Sequence, residues 1–369
     1  MYLVSPRIGI GLIGTGNIGR AHLTSLTALK ETGLIDLEIS AVCDTNVDSM
    51  NFISATFDPK ATYEDYNELI MDPRVDVIYI CTPTDLHSDM VKAAAEAKKP
   101  ILCEKPLAHS CPQARDLFAV TQSAEVTAGV DLVLRYDQFL LHAKKLIEEK
   151  DFGRPMLAHI RDDQHFPVDY IYDSQWRGDI SVSGGGTLIE HSIHDIDILL
   201  WFFGEIESVF AKTSNFFERE VEDHASLVMT HRNGVVSTLD SIWHWVERPS
   251  ERRIEFFFEK GYMDINLESG DRHLIYHLQG GNPIRVDTEA ANNTLLEKIG
   301  LHAHNLGPDA YNTLTSSGSE RYAAMSYSFL RTVINNSNPS PSFMDAINAH
   351  KIVDAAYSSA NENQPIDPL

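Results

Sequence analysis

Gly14-Thr15-Gly16-Asn17-Ile18-Gly19 stands directly after the apolar run Ile8–Ile13 and directly before a helix-period segment that reaches about Lys30. A glycine turn of this spacing between a strand and a helix opens a βα unit, and such units build parallel sheets. Each glycine has a separate task. Gly14 permits the tight turn, Gly16 lets backbone approach a pyrophosphate, and Gly19 lets the helix pack close to the strand. The helix N-terminus, with its unpaired N–H groups, then faces the anion. Gly14, Gly16, Asn17 and Ile18 are therefore the expected dinucleotide contacts.

The rest of the first ~130 residues keeps this rhythm, which is that of a doubly wound α/β sheet. Strands are expected at Glu38–Cys43, Val75–Cys81, Ile101–Cys103 and Val126–Val133. Helices are expected at Ser49–Phe57, Tyr63–Met71, Leu86–Lys98 and Pro112–Ser123. After a helix at Leu140–Lys150 the texture changes. Residues 156–166, 206–217, 224–231, 234–246 and 252–259 alternate apolar and polar side chains or are rich in aromatics, as in an open, mostly antiparallel sheet. A helix at Thr187–Phe203 interrupts them. Residues 278–318, rich in Gly, Asn and Ser, read as a long loop, and Glu320–Asn335 and Phe343–Ser359 read as helices. At 369 residues the chain is long enough for about two domains. The expectation is an NAD-binding Rossmann domain over 1–130 and an α+β domain over 131–369.

Charge narrows the partners. Thirty basic and 53 acidic residues leave a formal charge of −23, which disfavours nucleic acid and anionic membranes, since both attract basic patches. No apolar run approaches the ~18 residues of a membrane span. The N-terminus carries no leader pattern, so the expected location is the cytoplasm. Four cysteines, Cys43, Cys81, Cys103 and Cys111, form no Cys-x-x-Cys pair and read as buried free thiols.

The residues able to do chemistry fall in two groups. Asp44, at the end of the second strand, suits adenine ribose hydroxyls. Its charge repels a 2′-phosphate, which favours NAD over NADP. Thr82 and Pro83 follow the third long strand at the cofactor edge. His87 comes in the next helical turn, where contact with the nicotinamide side and capping of the helix are equal readings. Cys103-Glu104-Lys105-Pro106 ends a strand where α/β sheets bind ligands. A lysine there can orient a hydroxyl and relay its proton, while Glu104 borders the cofactor. The second group is Gly184-Gly185-Gly186 with Glu190, His191, His194 and Asp197. The glycines let backbone pass close to a cofactor or substrate. Glu190 and His194, spaced i,i+4, read as a proton-relay or substrate-orienting pair, with an acidic helix start and satisfied structural histidines as the alternative. A metal site among Glu190, His191, His194 and Asp197 is weaker, because the His-Glu-x-x-His order is missing, and no metal is expected. Trp176 and Arg177 could stack on or pair with the cofactor. Arg161, His165 and His191 are the candidates for a sugar pocket.

With these motifs in hand the chain resembles the family of glucose–fructose oxidoreductase, inositol dehydrogenase and MocA. The resemblance runs from Gly9 to about Pro365. It rests on Gly14–Gly19, on Cys81-Thr82-Pro83 with His87, and on Leu102 through Leu107. Gly184–Gly186 through His194 to Asp197, and Pro341-Ser342-Phe343 with Asp354-Ala355-Ala356, complete it. It implies a Rossmann domain, a second domain with a large open sheet, and dimers or tetramers assembled through that sheet. It also implies reversible oxidation of a carbinol on a sugar, inositol or related polyol, with a catalytic lysine at Lys105 and a proton-transferring histidine at His194. The position of Glu190 is more often Asp in that family. Cofactor-retaining glycosidases and a transcriptional regulator share the family, so an NAD-retaining hydrolase and a non-enzymatic NAD-binding regulator stand as alternatives.

Overall fold

The computed structural model describes residues 7–170, 172–268 and 270–368. Residues 1–6, on which the expectation about a leader falls, lie outside the described residues. Two compact units form. The first comprises residues up to 108, 112–136 and 295–346, and the second comprises 109–111, 137–294 and 347 onward.

In the first unit, strands and helices alternate: β1 (Ile8–Ile13), α1 (Asn17–Thr32), β2 (Leu37–Cys43), α2 (Val47–Phe57), β3 (Ala61–Tyr63) and α3 (Tyr66–Met71). Then come β4 (Val77–Ile80), α4 (His87–Glu96), β5 (Ile101–Cys103), α5 (Cys111–Ala124) and β6 (Ala128–Val130). All six strands pair in parallel in the order β3-β2-β1-β4-β5-β6. Every residue of β1 and β4 is buried, the signature of a parallel sheet covered on both faces. The order reverses direction between β1 and β4, so the carboxyl ends of these neighbours flank the switch point where such sheets take ligands. All four cysteines are free and buried.

The second unit is built on α6 (Gln138–Glu149), β7 (Pro155–His165), and three short helices, α7 (Ile180–Ser183), α8 (Thr187–Glu190) and α9 (Ile193–Phe203). Seven strands follow: β8 (Ile206–Ser214), β9 (His224–His231), β10 (Val236–His244), β11 (Glu251–Phe258), β12 (Gly261–Asn266), β13 (His273–Leu278) and β14 (Ile284–Arg285). Their order is β14-β13-β12-β11-β7-β10-β9-β8. Among these pairings β7–β10 is parallel and the others are antiparallel. Burial alternates strictly along β10, as one packed face and one open face require.

Two expectations need correction. The helix expected over Thr187–Phe203 is broken at His191-Ser192 into α8 and α9. The buried Ser192 hydroxyl bonds the Asp162 carboxylate at 3.1 Å and lies 2.7 Å from the Ser241 hydroxyl. This tether pulls the chain off the helical path. Residues 278–318 are not a loop. They hold β14, α10 (Thr288–Lys298) and α11 (Pro308–Thr315). Ala291, Leu295 and Leu296 bury one face of α10, and that burial outweighs the weak helix propensity of its asparagines. The chain continues into α12 (Glu320–Asn335) and α13 (Phe343–Glu362). Residues 295–346 belong to the first unit, where α11 and α12 lie beside α1.

Candidate active site

In the first unit the glycine loop leaves β1 buried and emerges at Gly16 and Asn17, both exposed, with Ile18 half-buried. Gly14 has φ +92°, and a Cβ on Gly19 would lie 2.0 Å from the Gly14 carbonyl oxygen, so neither tolerates a side chain. A Cβ on Gly16 would meet nothing within 4 Å. The loop therefore presents open space where a pyrophosphate would lie, and its residues fit a dinucleotide. Asp44 follows β2. The Thr15 N–H and hydroxyl both donate to its Oδ2 at 2.7 Å, and Asn46 N–H donates to Oδ1 at 2.9 Å. These bonds hold the carboxylate beside the glycine loop. The thirty-residue gap from Gly14 to Asp44 comes from a 16-residue α1 ended by Gly33 in the left-handed region, before β2 opens at Leu37.

Thr82 and Pro83 follow β4, both half-buried. His87 is the first residue of α4. Its ring is buried, with Nδ1 3.0 Å from the Pro106 carbonyl and Nε2 3.0 Å from the Thr82 carbonyl. It joins the loops after β4 and β5. Burial lowers its pKa, so the ring is neutral near pH 7 and donates to one of the two carbonyls at a time.

Lys105 follows β5 and is half-buried. Its backbone N–H donates to Glu104 Oε2 at 3.2 Å, while Glu104 Oε1 lies 2.9 Å from His22 Nε2. Glu104 is 6% exposed and engaged with protein on both oxygens. His22 on α1 and Asp131 after β6 were not singled out in the sequence. Among the described residues, His22, Glu104 and Asp131 are the acid–histidine trio whose ligand atoms lie within 4.8 Å of one another. A signal existed in the chain: His22 falls three residues after Gly19, one turn along the same helix.

In the second unit the three glycines serve the protein. A Cβ on Gly184 would lie 2.7 Å from the His109 ring, on Gly185 2.5 Å from the Tyr357 hydroxyl, and on Gly186 1.9 Å from the Glu222 carbonyl. Glu222, also missed in the sequence, accepts from the N–H groups of Gly186 at 2.7 Å and Leu188 at 3.0 Å, and from the Tyr357 hydroxyl at 2.8 Å. It closes the open end of α8, and burial raises its pKa.

Glu190 is 1% exposed and receives Arg177 Nε at 3.3 Å, and the Arg177 guanidinium sits 4.5 Å from the Trp176 ring centre. His194 is the second residue of α9, 8% exposed, one helix beyond Glu190. The i,i+4 face expected for that pair is interrupted by the break between α8 and α9.

The three pocket candidates separate. His191 Nε2 lies 3.0 Å from Asp162, which also binds Arg252 at 2.7 Å, and Arg252 Nε donates to Asp195 at 2.9 Å. Burial disfavours the Asp162 charge, but Arg252 and His191 outweigh it and hold the carboxyl far below its usual range. Burial and the neighbouring Asp162 push Asp195 up. Arg161 points to the opposite face of β7, where it pairs with Asp163 at 2.9 Å and with Glu251. His165 packs on the rings of Tyr170 and Trp245. Arg161 is thus separated from His191 by the sheet itself.

The oxidoreductase family model with an NAD-binding Rossmann fold matches residues 8–132, and the GFO/IDH/MocA C-terminal domain matches residues 140–264. Myo-inositol 2-dehydrogenase of Thermotoga maritima is 31% identical over 291 residues, spanning 73% of this chain and 82% of its own. Levoglucosan dehydrogenase of Pseudarthrobacter phenanthrenivorans is 23% identical across 98% of both chains. A solved levoglucosan dehydrogenase in complex with NADH has the same fold, with a TM-score of 0.85 at 23% identity over 98% of this chain and 99% of that one. With its glycine loop, parallel sheet and matched second domain, the chain belongs to the GFO/IDH/MocA family of NAD-binding oxidoreductases.

Proposed function

We propose that this protein is an NAD-dependent dehydrogenase that oxidises a secondary alcohol of a sugar, inositol or related polyol. The observation that carries the reading lies within the first unit. Gly14 follows β1, Thr82-Pro83 follow β4 and Lys105 follows β5, so three neighbouring parallel strands deliver the loop, the edge and the amine to one end of one sheet. The myo-inositol and levoglucosan dehydrogenases among its relatives support the substrate class.

Bound NAD supplies the hydride acceptor; the protein supplies orientation and charge. Lys105 hydrogen-bonds the reacting hydroxyl and lowers the cost of removing its proton. His194 accepts or relays that proton, and Glu190, held by Arg177, orients neighbouring hydroxyls. Asp44 takes the adenine ribose hydroxyls on the lone pairs that Thr15 and Asn46 leave. The domain roles and the assembly of two or four copies through the second sheet belong to the same proposal, and light scattering on a sizing column measures the copy number.

The test is absorbance at the NADH band, with NAD and NADP against a panel of inositols, aldoses, anhydrosugars and uronates. NADH formation on one cyclitol or sugar class, with NADP poor, is expected. Release of sugar from glycosides with no net NADH would replace the reading with a hydrolase. Silence across the panel by folded, NADH-binding protein would end it.

A further inference from the structure

Three groups from three elements meet in the first unit beneath Lys105. His22 comes from α1, whose first turn is the glycine loop. Glu104 and Asp131 leave the adjacent strands β5 and β6, where Cys103 pairs with Val130. All three side chains are buried: His22 is 2% exposed, Glu104 6% and Asp131 1%. A single ring nitrogen, His22 Nε2, lies 2.9 Å from Glu104 Oε1 and 3.4 Å from Asp131 Oδ2. The buried Asp131 Oδ1 and His22 Nδ1 make no hydrogen bond. One imidazole thus stands against two carboxylates in a site closed to water, where an uncompensated charge is costly.

Glu104 is the link to chemistry. Its Oε1 takes the imidazole and its Oε2 takes the backbone N–H of Lys105. We propose that His22 and Asp131 are positioning residues for Lys105, acting through Glu104, whose ionised carboxylate anchors the lysine backbone. The proposal rests on the reading that Lys105 acts on the substrate hydroxyl. A protonated Glu104 has lost its charge and is a poorer acceptor for that N–H, so the anchor loosens when the carboxylate gains a proton.

The electrostatics agree with the geometry. Burial opposes charge on His22, but Asp131 and Glu104 outweigh it and push the ring up to about 10, so the imidazolium persists at neutral pH. Burial and the Asp131 charge raise Glu104 to about 7, with His22 pulling it back. The other titratable groups around the cluster are Tyr79 of β4 and Tyr322 of α12, edge-on to the His22 ring at 5.5 and 5.2 Å. Cys81, Cys103 and His87 interact with Glu104 through charge. Neither buried thiol ionises near neutrality, since burial raises both.

The experiment is the pH profile of kcat and KM for wild type, His22→Gln, Asp131→Asn and Lys105→Ala on the substrate found in the panel. The wild type is expected to lose kcat as pH falls through about 7. His22→Gln keeps a donor but removes the cation, so its acid limb should move up by about one pH unit or more. Asp131→Asn removes the like charge, so its limb should move down by a similar amount. Both shifts should appear in kcat with little change in KM. A purely structural role gives both variants the same loss with no opposed movement, and that result overturns the proposal. If His22→Gln does not fold, Asp131→Asn decides alone: a downward limb supports the proposal and an unchanged or upward limb overturns it. Turnover retained by Lys105→Ala overturns the functional reading and this inference together. A dead Lys105→Ala beside unshifted limbs overturns this inference alone.

Discussion

Lys105→Ala is expected to cut turnover by roughly 10²–10⁴-fold, the scale of one positioned proton donor or acceptor. NADH affinity, read by fluorescence titration, should change little. Gly19→Ala tests the loop rather than the chemistry. Its methyl would meet the Gly14 carbonyl oxygen at 2.0 Å, so the turn must open and NADH binding should weaken by an order of magnitude or more. Wild-type NADH affinity in that variant would contradict the assigned loop geometry. At this scale the sequence was informative where a residue's conformation is set by its immediate neighbours, as for the tight turn at Gly14 and the close packing at Gly19. It was silent on His22, Asp131 and Glu222, because their partners lie 82, 27 and 36 positions away in the chain. His87 illustrates the intermediate case. Its place in the chain was read correctly, but a ring lodged between two carbonyls leaves no trace in local pattern.

Elements carried the same lesson with a different cause. Strand positions were legible because burial alternates along β10 and β11 and is continuous along β1 and β4, two patterns with different periods. The break between α8 and α9 was not legible, since the Ser192 hydroxyl ends the helix by bonding Asp162 of another element. Glu222 sits at the other end of that segment. Glu222→Ala leaves the N–H groups of Gly186 and Leu188 and the Tyr357 hydroxyl without their acceptor, at a cost of ~1–3 kcal/mol for each group left unsatisfied. Urea unfolding should show this as a lower midpoint, and an unchanged midpoint would remove Glu222 from its assigned place. Arg252 gives a sharper case. Replacing it with Ala strands two buried carboxylates, Asp162 and Asp195, and a loss of ~3–5 kcal/mol is expected in the same measurement.

The whole molecule has a pH signature that the composition hides. His350 of α13 is fully buried with neither ring nitrogen hydrogen-bonded, and burial, aided by His109, lowers its pKa to about 3. The folded state refuses a proton that the unfolded chain accepts near 6.5, so stability is full above that value. It falls by up to about 1.4 kcal/mol per pH unit as pH drops from 6.5 toward 3. His22 has the opposite sign: its stabilisation is complete below 6.5 and is lost as pH rises through about 10. Unfolding free energy against pH should therefore peak near neutrality. His350→Leu should flatten the acid side only, and an unaltered acid slope in that variant would assign the loss to other groups.

One feature of the chain path governs how this protein is made. The strands that carry the glycine loop are complete by Val130, yet α12 covers α1, and the Ser319 carbonyl and the Tyr322 ring reach back to Ser25 and His22. A ribosome that has just released residue 136 has made the whole nucleotide-binding sheet and helices α1 to α5, but not α11 and α12, which pack on α1. The first unit is written first and finished nearly last, and through most of elongation the flank of α1 that α11 and α12 will cover stays bare.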